Sequence, residues 1–213
     1  MATSKTVILL HGILNTPFFM QKIAWTLKKA GYAVCNWGYS SRNKTIEEFA
    51  RDLHAIVRPL SNKGTVHFVG FSLGTIIIRY YLSHYHVKNL GRFVMLAPPN
   101  HGSEKAETLY QYWWFRLLYG SKSIKQLFAS NKQFFRQCGI PSCTFGIIAG
   151  SRGNARGYSP LLPGDNDVAV SVASTHLKGC KDFIQIHCRH TPLLFSRTTS
   201  HCVVHFLRLG KFS

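Results

Sequence analysis

Three residue types in a fixed chain order could do chemistry here: a serine, then a carboxylate, then a histidine. Ser72 stands in Gly70-Phe71-Ser72-Leu73-Gly74, with a glycine two residues to either side. Alone, the pentapeptide reads as a turn, because Gly and Ser are common turn residues. Its flanks change that reading. Val66-His67-Phe68-Val69, rich in β-branched and aromatic residues, predicts a strand that runs into Gly70. The stretch from Thr75 to Leu82 is apolar, of helical length and without a breaker. A serine in such a strand-to-helix turn takes strained backbone angles, and only small neighbours fit two residues away; Gly70 and Gly74 supply them. The helix starting near Leu73 aims free N–H groups and a partial positive charge at the serine.

A serine hydroxyl is a weak nucleophile until a base takes its proton, and the base is a histidine oriented by a carboxylate. The chain has only eight acids: Glu47, Glu48, Asp52, Glu104, Glu107, Asp165, Asp167 and Asp182. In the order serine, acid, histidine, the acid follows a later strand, which leaves Asp165, Asp167 and Asp182. The first two lie in the Gly/Pro-rich loop GYSPLLPGDND, after a predicted strand at Thr144–Ala149; Asp182 precedes the last predicted strand, at the wrong edge of the sheet. The segment IQIHCRHTPLLF offers two bases. His187 directly follows the last strand, whereas His190 lies in the loop beyond it. The expected set is Ser72, Asp167 and His190, with Asp165 and His187 as the alternatives. Acyl transfer also needs donors for a developing oxyanion. The N–H of Leu73 is one. The other is expected from Leu10-His11-Gly12-Ile13 after the first strand, where Gly12 permits close backbone approach, Ile13 N–H donates and His11 organises the loop.

These residues need elements to hold them. Val7–Leu10, Ala33–Asn36, Val66–Val69, Phe93–Leu96, Thr144–Ala149 and Phe183–Ile186 read as strands. Between them, Thr16-Pro17 opens a helix that Gly31 ends. Thr45-x-x-Glu48 is a capping box opening a helix that Pro59 and Gly64 break. A closing helix runs from His201 to Leu209 with Ser200 as N-cap. Strands alternating with helices predict an α/β fold: a mostly parallel sheet of about six strands, covered by helices on both faces. Residues 97–140 interrupt the alternation with two helical stretches, Ser103–Leu118 and Ser123–Cys138. They read either as ordinary packing against the sheet or as a partial cap whose surplus aromatics line an acyl pocket.

The totals narrow the function. In 213 residues, 26 Lys and Arg against 8 Asp and Glu leave a formal charge of +18. That excess draws the chain toward something anionic, such as a membrane surface or an acidic substrate, or serves solubility alone. No run of five Lys or Arg marks a nucleic-acid arm, so no nucleic-acid partner is expected. The start, MATSKTVILLHG, lacks a secretory apolar run, and no later run approaches about 18 apolar residues. The expected setting is cytoplasmic, with peripheral contact to an anionic membrane. Six cysteines without a C-x-x-C read as reduced thiols. His201, Cys202 and His205 share a helix but lack an obvious third ligand, so no metal or other cofactor is expected. The basic loop GSRGNARG, with Arg152 and Arg156, reads as surface or as a contact for a phosphate-bearing head group.

Taken together, LLHGILNTP, GFSLG, LAPPNHGS, DNDVAVSV and RHTPLL resemble the lipase/esterase branch of the α/β-hydrolase superfamily, and are similar in order and spacing to small bacterial lipase-like hydrolases. The resemblance covers about residues 5–195; the length suits one domain, 1–213, with a cap-like helical insertion at 97–140. The resemblance implies a serine hydrolase that cleaves small-molecule or lipid esters through an acyl-enzyme on Ser72. A thioesterase or acyltransferase would use the same residues, and a catalytically silent scaffold binding anionic lipid or a partner is the reading from another class. LAPPNHGS resembles a loop bordering the site, which puts Asn100 and His101 at its edge without a role. Two departures stand out. Family members often have Asp-Gly where this chain has Asp167-Val168, which keeps Asp165 in contention. Many carry a second glycine where Thr75 follows Gly74.

Overall fold

The structure, a computed structural model, describes residues 4–42, 44–120 and 122–213. The first three residues of the start read above lie outside them. The described residues form one six-stranded sheet of β1 (Ser4–Leu10), β2 (Ala33–Trp37), β3 (Gly64–Phe71), β4 (Leu90–Leu96), β5 (Phe145–Ser151) and β6 (Asp182–His187). The order is β2-β1-β3-β4-β5-β6, and every neighbouring pair is parallel. The expected α/β fold is present, and its sheet is parallel throughout.

Alternation along β1 explains the layers. Val7 and Leu9 point to one face and pack with α1 (Gln21–Lys29) and α9 (Arg197–Leu209). Ile8 and Leu10 point to the other and pack with α2 (Ile46–Lys63) and α3 (Leu73–His84). The central strands have no polar face: Phe68, Val69, Phe93, Val94, Met95, Leu96, Ile147 and Ile148 are all fully buried. That is the near-continuous apolar reading of a parallel strand covered on both sides. Each such side chain contributes about 1.5–3 kcal/mol by leaving water.

Two helix boundaries differ from expectation. The capping box forms, with Glu48 N–H donating to Thr45 Oγ1 and Thr45 N–H to the Glu48 carboxylate at 2.7 Å. Yet α2 does not stop at Pro59; it runs on to Lys63. Pro59 sits on the exposed side, while Val57 and Ser61 on either side of it are buried. Packing of that buried face outweighs the one backbone hydrogen bond that proline removes. The last helix begins at Arg197, capped by Ser196, whose Oγ accepts from Thr199 N–H. Ser200 is inside it and donates back to Ser196 O, the habit of a serine within a helix.

Residues 97–140 contain four short helices among the described residues, rather than two long ones: α4 (Glu104–Leu109), α5 (Trp113–Tyr119), α6 (Lys122–Gln126) and α7 (Lys132–Gln137). A turn at 110–112 cuts the first run and the Asn131 cap cuts the second, while Ser103 and Gly120 mark the outer ends. Ser103 accepts from Ala106 N–H, Asn131 accepts from Phe134 N–H, and Gly120 at φ +76° ends α5 against the Arg42 carbonyl. The buried members Phe115, Ile124, Leu127 and Phe134 join the core on the α2/α3 side. A further short helix, α8 (Val172–Thr175), follows the Asp-containing loop. No helix among the described residues is long and apolar enough to cross a membrane.

The strand order also locates the site. From β1 the chain goes outward to β2 on one side and then returns to β3 on the other. The loops leaving the carboxyl ends of β1 and β3 therefore diverge from a common edge, the switch point where open α/β sheets bind ligands.

Candidate active site

β3 ends at Phe71 and α3 begins at Leu73, so Ser72 alone makes the turn. Its backbone lies at φ +51°, ψ −119°, a region that side chains of L-residues avoid and that costs about 1–3 kcal/mol. Three hydrogen bonds hold it there. Ser72 N–H donates to Leu96 O at 2.9 Å, and Ser72 O accepts from Thr75 N–H at 3.0 Å and Thr75 Oγ1 at 2.5 Å. Thr75, the residue that departs from the second glycine, thus fastens the turn. The glycines are required by contact. A methyl carbon on Gly70 would lie 2.8 Å from the backbone of Thr75. One on Gly74 would lie 2.5 Å from Leu10 O and 2.7 Å from His11 O.

The loop after β1 is built around His11. The ring is buried, stacks on Tyr39 at 4.2 Å between centroids, and places Nδ1 2.8 Å from Gly12 O. A carbonyl only accepts, so Nδ1 carries the hydrogen. Burial lowers the pKa of this ring and favours its neutral form. His11 therefore organises the loop, as the sequence predicted. The Leu14 N–H is already donating to Ser41 Oγ at 3.0 Å. Ile13, the preceding residue, lines the same cavity as Ser72. Leu73 is the first residue of α3, and the N–H groups of a first turn have no acceptor within their helix.

Asp167 and His190 meet. The Asp167 Oδ2–His190 Nδ1 distance is 2.6 Å, and Asp167 Oδ1 accepts from Ala169 N–H at 2.9 Å and Val170 N–H at 2.8 Å. The two loops are also joined through the backbone, His190 N–H to Asp167 O at 2.8 Å. Asp165 faces elsewhere: its carboxylate accepts from the N–H groups of Arg152 at 2.8 Å and Gly153 at 3.0 Å. His187 is the exposed last residue of β6, over Gly153. Asp182 is at the opposite end of that strand, where it accepts from Phe212 N–H at 2.6 Å. His205 Nδ1 donates to Lys211 O at 2.8 Å, and the described residues contain no group of three or more His, Cys, Asp or Glu placed to hold a metal ion.

Two residues that sequence reasoning missed shape the acid loop. Asn166 is buried between the two aspartates. Its Oδ1 accepts from the N–H groups of Tyr158, Ser159 and Val168, and its Nδ2 donates to Ser159 O and Gly164 O. An asparagine in a Gly/Pro-rich loop is the available signal, since its side chain mimics backbone turns. Lys105 donates from Nζ to Val168 O at 2.8 Å. Nothing local announces a contact that spans 63 residues. Asn100 is a structural residue, accepting from Arg79 Nη1 at 2.9 Å and donating to Thr175 O at 2.7 Å.

Ser72 and His190 line one cavity of about 360 Å³. Its far wall comes from the insertion, through Leu109, Phe115, Tyr119, Ile124 and Leu127. Phe115, Ile124 and Leu127 thus belong both to the core on the α2/α3 side and to the lining of this cavity.

Known proteins share this fold. The family model for the alpha/beta hydrolase fold matches residues 5–134. A putative non-heme chloroperoxidase from Synechocystis sp. is 30% identical over 106 residues, 46% of this chain. The chain spans 38% of the length of that relative. Among solved structures, the mature form of the Bacillus licheniformis lipase BlEst2 matches with a TM-score of 0.80 and 20% identity, over 98% of this chain and 93% of that one. The phospholipase PlaB from Legionella pneumophila matches with a TM-score of 0.65 and 19% identity, over 81% of this chain and 44% of that one. At such identities these two structures speak for the fold.

Proposed function

The chain belongs to the alpha/beta hydrolase fold family, and from that membership we propose that it is a serine hydrolase cleaving carboxylic esters. Ser72 is the nucleophile, His190 the base, Asp167 the acid that orients it, and the N–H groups of Ile13 and Leu73 the oxyanion donors. The observation that carries this reading is the 2.6 Å contact between Asp167 Oδ2 and His190 Nδ1, beside the cavity that Ser72 and His190 both line.

The chemistry follows from those atoms. With its Nδ1 hydrogen held by Asp167, His190 presents a free Nε2 that takes the proton of Ser72 Oγ. Oγ bonds to the carbonyl carbon of the ester, and the carbonyl electron pair moves onto oxygen. The two amides stabilise that charge, each donor lowering the barrier by about 3 kcal/mol. When the carbonyl re-forms, the C–O bond to the alcohol breaks and the alcohol leaves with the proton from Nε2. Water then attacks the acyl-enzyme by the same route and frees Ser72. The apolar insertion wall suits the acyl portion of such a substrate.

Labelling by a fluorophosphonate probe, which reacts with activated serines, tests the proposal. Wild type should label and Ser72→Ala should not. His190→Ala and Asp167→Ala should label about 100-fold more slowly or worse, and Asp165→Ala at nearly the wild-type rate. Labelling that survives in Ser72→Ala, or a folded wild type that never labels, would reject the reading; the second result leaves the silent scaffold. Matched oxygen esters and thioesters, with and without an added alcohol, separate a hydrolase from a thioesterase and from an acyltransferase.

A further inference from the structure

Tyr112 to Leu118 hold five of the eleven exposed large hydrophobic side chains among the described residues: Tyr112 at 47%, Trp113 at 69%, Trp114 at 45%, Leu117 at 66% and Leu118 at 48% of full exposure. The inward face of the same helix, α5, is also apolar. Phe115 is buried, and Phe115 and Tyr119 line the Ser72 cavity. Apart from Arg116 the helix is apolar on every face, and such a helix is stable when buried or in lipid, not when half of it faces water. Clustered exposure of this kind marks a contact surface.

Charge identifies what the surface meets. Between Glu107 and Asp165 the sequence has seven Lys and Arg and no acid. Arg42, Arg116 and Lys122 border a shallow notch that Tyr110, Trp113 and Leu117 also line. Trp and Tyr settle at the head-group level of a bilayer, leucines reach into the acyl region, and cations at the rim attract acidic lipid. A second copy of this chain would instead set +18 against +18. We propose that α5 and the turn before it dock this protein on bilayers containing anionic lipid. The side chains that insert and the side chains that wall the cavity then belong to one helix, which sets the lipid phase beside the site.

The test reads binding, not turnover, so it stands apart from the hydrolase reading and can be repeated in Ser72→Ala. Full-length protein is sedimented with vesicles of phosphatidylcholine alone or phosphatidylcholine mixed with phosphatidylglycerol, while tryptophan emission is followed. Wild type should bind the anionic vesicles, shift its emission to the blue and lose affinity as salt is added. Trp113→Ser/Leu117→Ser should weaken that binding about tenfold or more. Arg116→Gln/Lys122→Gln should weaken it less and reduce the salt dependence. Trp25→Ser, an equally exposed tryptophan on α1 across the sheet, should bind as wild type does. Unchanged circular dichroism and thermal midpoint establish that each variant folds. The proposal falls if wild type ignores anionic vesicles, if both double variants bind as well as wild type, or if wild type is a dimer in solution that Trp113→Ser/Leu117→Ser splits without any vesicle binding.

Discussion

At Val168 a β-branched side chain sits at φ +93°, next to the carboxylate that holds His190. Positive φ is a strain for such a residue, costing about 1–3 kcal/mol. Three neighbours hold it: the Asn166 amide oxygen accepts its N–H, Lys105 donates to its carbonyl, and Asp167 caps the two residues after it. Val168→Gly should relieve the strain at an entropic cost of about 0.5–1 kcal/mol, for a net gain of about 1 kcal/mol. Denaturant unfolding with an unchanged slope would show it, and a lowered midpoint would refute it. The same loop shows what sequence reveals about single residues. Chain order and loop position pointed to His190 rather than His187, and away from Asp182, and it is His190 that meets Asp167. They left Asp165 beside Asp167, because the difference lies in which amides each carboxylate accepts. The partners of Asp165, the amides of Arg152 and Gly153, come from a loop folded back after β5, and no local pattern predicts that return.

Elements were legible where hydrophobic period decides and illegible where packing or a cap does. All six strands follow from short apolar runs, since a strand buried on both faces cannot be written otherwise. The end of α2 did not follow. A proline is a strong local stop, but here Pro59 is exposed and the turns around it are anchored by Val57 and Ser61. Pro59→Ala restores an N–H to the helix without touching the core. It should stabilise by about 1–2 kcal/mol, less than the full proline penalty because proline also restrains the unfolded chain. A thermal midpoint raised by several degrees is the expected result; a lowered one would mean that the ring itself packs usefully. The insertion teaches the complement. Its periodicity fits two long helices, whereas a turn at 110–112 divides the first and the Asn131 cap divides the second. Exposure of Trp113 and Leu117 could not be read from sequence, because aromatic and aliphatic side chains usually mark a core.

Across the whole molecule, composition gave the sign and size of the charge but not where burial works against it. His67 on β3 is buried, accepts from Arg92 N–H at 2.9 Å, and has its pKa pushed down to about 4, mainly by desolvation and then by the charges of Arg92 and Lys5. Unfolding returns the ring to its ordinary pKa of 6.5, so the unfolded chain binds the proton first as pH falls. Stability from this residue is therefore complete above about pH 6.5 and declines down to about pH 4, by at most about 3 kcal/mol. His67→Asn keeps an acceptor for Arg92 N–H and removes the titration. Its unfolding free energy should vary less between pH 7 and pH 4.5 than that of wild type, and an identical slope would exclude His67 as the cause. The contact at Gly74 bears on a longer timescale. The atoms nearest a methyl group at Gly70 or Gly74 belong to the end of β1, the residue after it and the start of α3, and none comes from residues 97–140. The Ser72 turn and the loop after β1 thus interlock at backbone distance, so a side chain at either glycine would displace both. The opposite wall is free of that lock. Descendants of this chain can rewrite that wall and reshape the cavity while inheriting the interlocked turn intact.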